Sequence, residues 1–481
     1  MSISLPQKPV YLKISQDLDF LELFKLIENK FENCYLIESL GQESQERFSV
    51  IGFDPDAVFS SKQVDLLEVE TKDSSFSYNF LVDKEPGGVK SQANQSKYKL
   101  EIKTENAYFE LQKIIPQDVI SRNYSGGLFG FLSYEAYNFF QNKVKLPISE
   151  DFGLFKFGLY TDGLVQDTVT GEIFYFYYNK DRSGEILELI EKLKLGLKVP
   201  ELIFEAKFLG HSLTQNQHRQ KVLNTIEEIK AGNSFQAEVG MKSRFEISGN
   251  PLAVYQKLRK VNPSPFMFFC KFADQIVLGA SPELLLRLKN GELQTSPLAG
   301  TVKRGKGEVE DKLLARKLLN DPKEIAEHNM LVDMHRNDIG TVSRFGTVKV
   351  RNLMEIKRFS HVQHISSDVV GILDPQKDGF DALAAILPGG VVSGAPRLET
   401  VKIIQRNEIE PRGVYGGALG HFGLNGNCTF TLPIRSLFIS KNKAYAQTSS
   451  GIVYDSDPQK EYDELVNKLA AMKSVLEGFE G

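Results

Sequence analysis

Four glutamates fall in two pairs behind two matching start signals: Glu324 and Glu327 after Asp321-Pro322, and Glu461 and Glu464 after Asp457-Pro458. Aspartate at the cap and proline at the first helical position predict a helix at each site. Three-residue spacing then puts both carboxylates of a pair on one helix face. Lys468 extends the stripe of the second helix, and Leu465, Leu469 and Met472 give it a separate apolar stripe. Such acceptor-only oxygens suit a hard divalent cation such as Mg2+, which keeps several waters and takes few carboxylates from the protein. They also suit plain solvated faces, with Glu464 and Lys468 as an i,i+4 pair of ~0.3 kcal/mol. Spacing alone leaves both readings open.

Other residues point to an anion. Arg435 closes the apolar run Leu432-Pro433-Ile434. An arginine in a buried strand needs an anionic partner, and its fork matches a carboxylate. His361 and His364 stand in a stretch whose alternation reads as a strand, so their side chains fall on opposite faces and at most one serves a given site. Glycine-rich segments recur at Pro388-Gly389-Gly390, Ser393-Gly394-Ala395-Pro396 and Tyr415-Gly416-Gly417. They mark close backbone approach or tight turns, and none forms a nucleotide-binding signature.

The elements that must carry these residues are strands and helices in mixed order. Short apolar runs separated by turns between about Val10 and Asp167 predict a strand-rich N-terminal region, 10–170, with an exposed loop over Lys84 to Ser96. An amphipathic stretch from Glu185 to Lys198 and a periodic helix from Thr214 to Gly232 flank an expected linker at 198–212. Strands such as Phe266 to Phe269 and Ile276 to Leu278 then alternate with long helices over 213–476.

The chain of 481 residues is long enough for a large core, and its formal charge of −4 offers no basic field for nucleic acid or an anionic membrane. The three cysteines are widely spaced and never form Cys-x-x-Cys, which predicts free thiols in a reducing compartment. No continuous apolar stretch near the N-terminus suggests a signal or a membrane span, so a cytoplasmic location is expected.

Taken in order, several blocks resemble the chorismate-utilising enzymes, and among them component I of anthranilate synthase. They are Leu36-Ile37-Glu38-Ser39, Asn262 to Phe268, Gly279-Ala280-Ser281-Pro282-Glu283, Pro297-Leu298-Ala299-Gly300-Thr301, Ala326 to Asp333, Ser393-Gly394-Ala395-Pro396, Ile434-Arg435-Ser436 and Gly451-Ile452-Val453. The resemblance covers nearly the whole chain. It implies an α+β fold in which two lobes bring antiparallel sheets together as a sandwich with helices on the outer faces.

The resemblance also implies an activity: chorismate and ammonia give anthranilate and pyruvate, the ammonia coming from a glutamine amidotransferase subunit. It implies Mg2+ on Glu327 and Glu464, with Glu324 and Glu461 close by. Substrate contacts carry over to Gly300, Thr301, Tyr415, Arg435, Lys468 and the backbone of Ser449, Ser450 and Gly451. Glu283 matches the acid that protonates the departing hydroxyl, and His364 matches a residue of the elimination step. Asp338, in what reads as an Arg-Asn-Asp turn, is structural. Glu38, Ser39, Pro263, Ser264 and Pro265 match a site where L-tryptophan acts as feedback inhibitor.

Two positions sort the members of the family. Gln236 stands where isochorismate-forming relatives carry a lysine base, and Ala299 where many aminodeoxychorismate synthases carry a nucleophilic lysine. Direct attack by ammonia is therefore expected. The chain departs from the pattern at Val302, Val391, Thr429 and Ser449-Ser450, the last replacing a Gly-Ala pair, so that an added Cβ is expected to obstruct the substrate carboxylate. An impaired family member with a binding role, or aminodeoxychorismate synthase component I, are the alternatives.

Overall fold

The computed structural model describes residues 3–16, 18–41, 43, 46–72, 89–94, 97–121, 124–196 and 201–479, with backbone alone for 89–94. Two antiparallel sheets, of twelve and thirteen strands among the described residues, lie face to face. Strand Asn33–Glu38 shows how the sequence specifies this. Cys34 and Leu36 pack toward helices on one face, while Tyr35 points between the sheets and stacks on Phe129 of the other sheet at 3.7 Å. With both faces covered, the strand reads as a continuous apolar run.

The core between the sheets is aromatic, with Phe129, Phe131, Phe157, Phe268 and Phe430 all buried. Helices Phe20–Lys30, Ser183–Lys194, Leu252–Val261 and Pro458–Glu477 cover the first sheet, and Leu465, Leu469 and Met472 of the last supply its expected apolar stripe. Helices Ala107–Ile114 and Gly379–Ile386 cover the second, where Phe380 stacks on Phe422 at 3.8 Å.

The two lobes are these two layers, and neither corresponds to a segment of the chain. In the first sheet Asn33–Glu38 pairs with Phe266–Phe272; in the second Gly127–Leu132 pairs with Ala418–Gly423. The regions 10–170 and 213–476 thus share both sheets instead of forming separate bodies. Within the expected linker 198–212, Phe204–His211 is an edge strand on Gln236–Gly249. Of the expected loop over Lys84 to Ser96, Val89–Asn94 is a strand paired with Lys97–Lys103, and the rest lies outside the described residues.

Both aspartate-proline signals start helices, Pro322–Gly340 and Pro458–Glu477, with Asp321 and Asp457 accepting hydrogen bonds from first-turn amides. The first runs past the expected turn, so Asp338 is helical and pairs with Arg397. Gln215–Lys230 begins with a capping box formed by Thr214 and Gln217.

Candidate active site

Strands of both sheets meet beside the Pro322–Gly340 and Pro458–Glu477 helices, where Arg435 reaches His364, Gln236 reaches Glu327 and Lys468 reaches Ser449. On the second sheet, Leu298–Lys303 pairs with Val362–Ile372 so that Thr301 faces His364, and a bulge leaves Gly300 as the extra residue. Gly300 has φ +64, and a Cβ there would lie 2.9 Å from Glu324 Oε2. The glycine thus lets the strand edge approach the first carboxylate pair.

His364 is buried, whereas His361 lies exposed just before the strand. His364 Nδ1 is 2.9 Å from the Gly300 carbonyl and 3.1 Å from Thr301 Oγ1, and its Nε2 is 3.3 Å from Arg435 Nη2. A guanidinium can only donate, so Nε2 accepts and the proton sits on Nδ1. Burial, and then the charge of Arg435, push the ring down to about 4 and keep it neutral.

Arg435 is not in a strand: it holds φ +52 in the loop before Ser436–Ser440. A left-handed arginine is strained backbone of a kind that clusters at functional sites. Near it Glu283 is buried and pushed up to about 8, chiefly by loss of water; the Leu298 amide and Arg435 pull it down, and Glu238 pushes it further up. At neutral pH this carboxyl carries a proton, as a general acid must.

The first sheet contributes Gln236–Gly249 and Lys443–Ile452, paired with Glu238 opposite Gly451 and Gly240 opposite Ser449. Ser449 and Ser450 sit in ordinary extended backbone, and the Ser449 hydroxyl is turned onto Glu238 Oε2 at 2.6 Å. Since it donates there, it accepts from Tyr415 OH at 2.9 Å. The Ser449 carbonyl accepts from Lys468 Nζ at 2.9 Å. The Ser449 hydroxyl is thus tied into a chain of partners. A Cβ on Gly451 would stand 2.2 Å from Gln236 Nε2 and 2.8 Å from Glu238 Oε1, so both side chains would have to turn away to admit one.

The glutamates of the two helices come near one another: Glu324 feels Glu327 and Glu464, and Glu461 feels Glu464. Glu327 Oε1 takes a long bond of 3.4 Å from Gln236 Nε2, Glu461 Oε1 one of 2.8 Å from Ser456, and Glu464 pairs with Lys468 at 2.6 Å. Burial and then Glu327, with Glu464 adding, raise the Glu324 carboxyl; burial raises Glu461 against the Ser456 bond. Burial works against the charge of Lys468, but Glu464 and Glu238 outweigh it and raise its pKa. Among the described residues no three such groups close round one point. As they stand, the donors do not form an all-protein cage.

A second cavity, about 160 Å³, lies between the sheets, bordered by Glu38, Ser39, Pro265, Phe266, Met267 and Arg287. Pro263 and Ser264 lie outside it, Ser264 accepting the Leu40 amide at 3.0 Å. The Glu38 carboxylate is engaged on the opposite face of its strand, by Tyr255 OH at 2.7 Å and by Arg259 Nε and Nη2, each at 2.9 Å.

The sequence from 32 to 474 matches the family model described as chorismate binding enzyme. The chain belongs to this family. It is 44% identical to anthranilate synthase component 1 of Leptospira biflexa, over 100% of this chain and 98% of that one. A solved anthranilate synthase component I from Streptococcus pneumoniae superposes with a TM-score of 0.73 at 30% identity, covering 90% of this chain and 94% of that one. The menaquinone-specific isochorismate synthase of Escherichia coli shares the fold, with a TM-score of 0.66 at 17% identity over 97% of this chain and 94% of that one.

One buried group in this chorismate binding enzyme went unnoticed in the sequence. Glu238 lies two residues after Gln236 on the same strand face, and its Oε1 accepts from Gln236 Nε2 at 3.3 Å. Burial pushes it up to about 7 against Lys468 and Ser449, with Glu327 and Glu464 adding to the push. A charged residue amid a strand's apolar run is the signal that could have found it. Among the described residues no helix is long and apolar enough to cross a membrane, and all three cysteines are free and buried.

Proposed function

We propose that the chain is the chorismate-consuming component of an anthranilate synthase, fed with ammonia by a glutamine amidotransferase subunit and serving tryptophan synthesis in the cytoplasm. One observation carries this reading: a buried carboxylic acid, Glu283, lies within electrostatic reach of Arg435, and the neighbouring His364 lies within reach of both Arg435 and Lys468. Anion-binding groups and a retained proton are what expulsion of a hydroxyl from a dicarboxylate requires.

Arg435 and Lys468 offset the loss of hydration of the substrate carboxylates, and the backbone of Ser449 to Gly451 lines the same wall. Glu283 gives its proton to the C4 hydroxyl as ammonia bonds to C2, so that water leaves in place of hydroxide. Neutral His364 carries its proton on Nδ1 toward Gly300, and its Nε2 becomes free to take the C2 proton once Arg435 turns from it to a substrate carboxylate, in the elimination that releases pyruvate and completes the aromatic ring. Glu327 and Glu464, with Glu324 and Glu461 nearby, would hold Mg2+. When bound, the ion supplies positive charge to a substrate carboxylate. Ala299 offers no nucleophile for a covalent adduct, which favours ammonia acting directly.

The cavity between the sheets is a suitable feedback site for L-tryptophan, with Ser39, Pro265 and Met267 on its border and the Glu38 carboxylate elsewhere. Inhibition there requires different affinity of the ligand for two states of the enzyme.

The direct experiment mixes protein, chorismate, magnesium and ammonium salt and follows anthranilate fluorescence and pyruvate. Formation of both, abolished by a chelator, is expected. Absence of product at saturating ammonia refutes the proposal, and an amino product without pyruvate identifies an aminodeoxychorismate synthase instead.

A further inference from the structure

Strand Gln236–Gly249 has a gap along the edge opposite Lys443–Ile452. Gln236 and Ala237 pair there with Ala395 and Gly394, and Ser243 to Gly249 pair with Phe204–His211, but among the described residues no strand covers Glu238 to Lys242. An ion pair stands in that place. Arg412 Nη2 donates to the Glu238 carbonyl at 2.7 Å, and Glu408 Oε1 accepts from the Gly240 amide at 2.8 Å. A carbonyl and an amide two residues apart on one edge are what a neighbouring strand would engage. The pair itself is joined twice, Arg412 Nε to Glu408 Oε2 at 2.9 Å and Nη2 to Oε1 at 2.5 Å.

Arg412 is buried, and its other contacts tie further parts of the site to this strand. Nη1 donates to the Val392 carbonyl of the short helix Gly390–Ser393 at 2.6 Å. The guanidinium lies 4.6 Å from the ring centre of Tyr134 and 5.6 Å from that of Tyr415, within cation–π range of both. The Tyr415 hydroxyl reaches Ser449, Ser449 reaches the Glu238 carboxylate, and the Glu238 carbonyl returns to Arg412, which closes a ring of contacts. A buried ion pair is weak evidence for stability, because apolar side chains of similar volume often serve as well. Apolar side chains could not engage the Glu238 carbonyl and the Gly240 amide.

The register shows what the ion pair holds in place. Glu238 lies opposite Gly451 and Gly240 opposite Ser449, so the two backbone groups it engages belong to the cross-strand partners of both ends of the Ser449 to Gly451 segment. Resting on the reading above, in which Tyr415, Lys468 and that segment meet the substrate, we infer that Arg412, together with Glu408, is a positioning residue for chorismate. It fixes the wall that receives the substrate without touching the substrate itself. Binding of the dicarboxylate depends on that wall, whereas a small neutral nucleophile gains nothing from it.

The test is Arg412→Lys in the full chain, which keeps a charge beside Glu408 but cannot span the Glu238 and Val392 carbonyls at once. With magnesium and ammonium, the chorismate KM of the folded variant should rise about tenfold, while kcat and the KM for ammonia stay within about threefold of wild type. The Kd for chorismate, measured by calorimetry without ammonium, should rise by the same factor. An arginine that serves stability alone would lower the melting temperature and leave both chorismate constants within about twofold of wild type, and that result overturns the inference. A fall in kcat with an unchanged chorismate KM overturns it as well. If the lysine variant does not fold, Glu408→Gln keeps the shape but leaves only one terminal atom able to accept from Arg412 and Gly240. The same rise in chorismate KM then supports the inference, and an unchanged KM overturns it. A wild-type protein that makes no anthranilate from ammonium overturns the reading beneath, and the calorimetric comparison still decides the role of Arg412.

Discussion

Replacing Glu283 by glutamine should disable the chain and stabilise it at once. Burial raises this carboxyl from 4.5 to about 8, so near pH 7 the folded protein keeps it protonated while the unfolded chain ionises it. The gap from 4.5 to 7, at ~1.4 kcal/mol per pH unit, amounts to about 3 kcal/mol of lost stability. The sign follows from the raised value: stability is whole below 4.5 and is removed as pH climbs toward 8. Glutamine keeps the shape, and its carbonyl can accept the Leu298 amide without any charge to neutralise. Glu283→Gln should therefore match wild type within about 1 kcal/mol near pH 5 and exceed it by about 3 kcal/mol near pH 7. Its rate of anthranilate formation should fall about 10²- to 10⁴-fold, the usual worth of a general acid. Denaturant titrations at the two pH values and the fluorescence assay measure both effects. A stability difference that does not grow with pH, or a rate within a few-fold of wild type, refutes the argument.

Gly300→Ala should lower stability by about 1 kcal/mol, through its left-handed backbone and the approach to Glu324, and should raise the magnesium concentration needed for half-maximal rate. An unchanged magnesium requirement would separate Gly300 from the carboxylate pair. Arg435→Lys keeps a charge but loses the fork, so the chorismate KM should rise about tenfold or more; a KM equal to wild type removes Arg435 from carboxylate binding. Because the chain contains no tryptophan, the emission of added L-tryptophan reports its own binding directly. A blue shift that saturates, with matching heat in calorimetry, is expected for the cavity between the sheets, and neither signal at excess protein would reject that site.

Much of the site is legible where the chemistry is local. The two aspartate-proline caps announce their helices because capping needs only neighbouring residues, and the glutamates then follow by spacing. Strand alternation says only that one of His361 and His364 can serve the site; the resemblance points to His364, which lies in the strand, while His361 lies just before it. Arg435 misleads, since an apolar run before an arginine looks the same in a strand and in a buried loop. The partner of the Ser449 hydroxyl was not legible either, because Glu238 is over 200 positions away, on the neighbouring strand. Residue types alone also gave no hint that the Glu38 carboxylate would turn to Arg259 and Tyr255 and away from the cavity its own strand borders. That both regions contribute to both sheets is not legible, because strand pairing across the whole chain leaves no trace in composition.

That interleaving has a kinetic meaning. The contact of Ile37 with Phe268, and that of Phe129 with His421, each close a loop of more than 200 residues. Such closures demand entropy before any pairing rewards them, which makes assembly slow. On the ribosome, the strand Gly127–Leu132 must wait with an unpaired edge until Ala418–Gly423 emerges. The N-terminal third, severed from the rest, should expose aromatic strand edges and aggregate, and the site can exist only in a chain synthesised almost to its end.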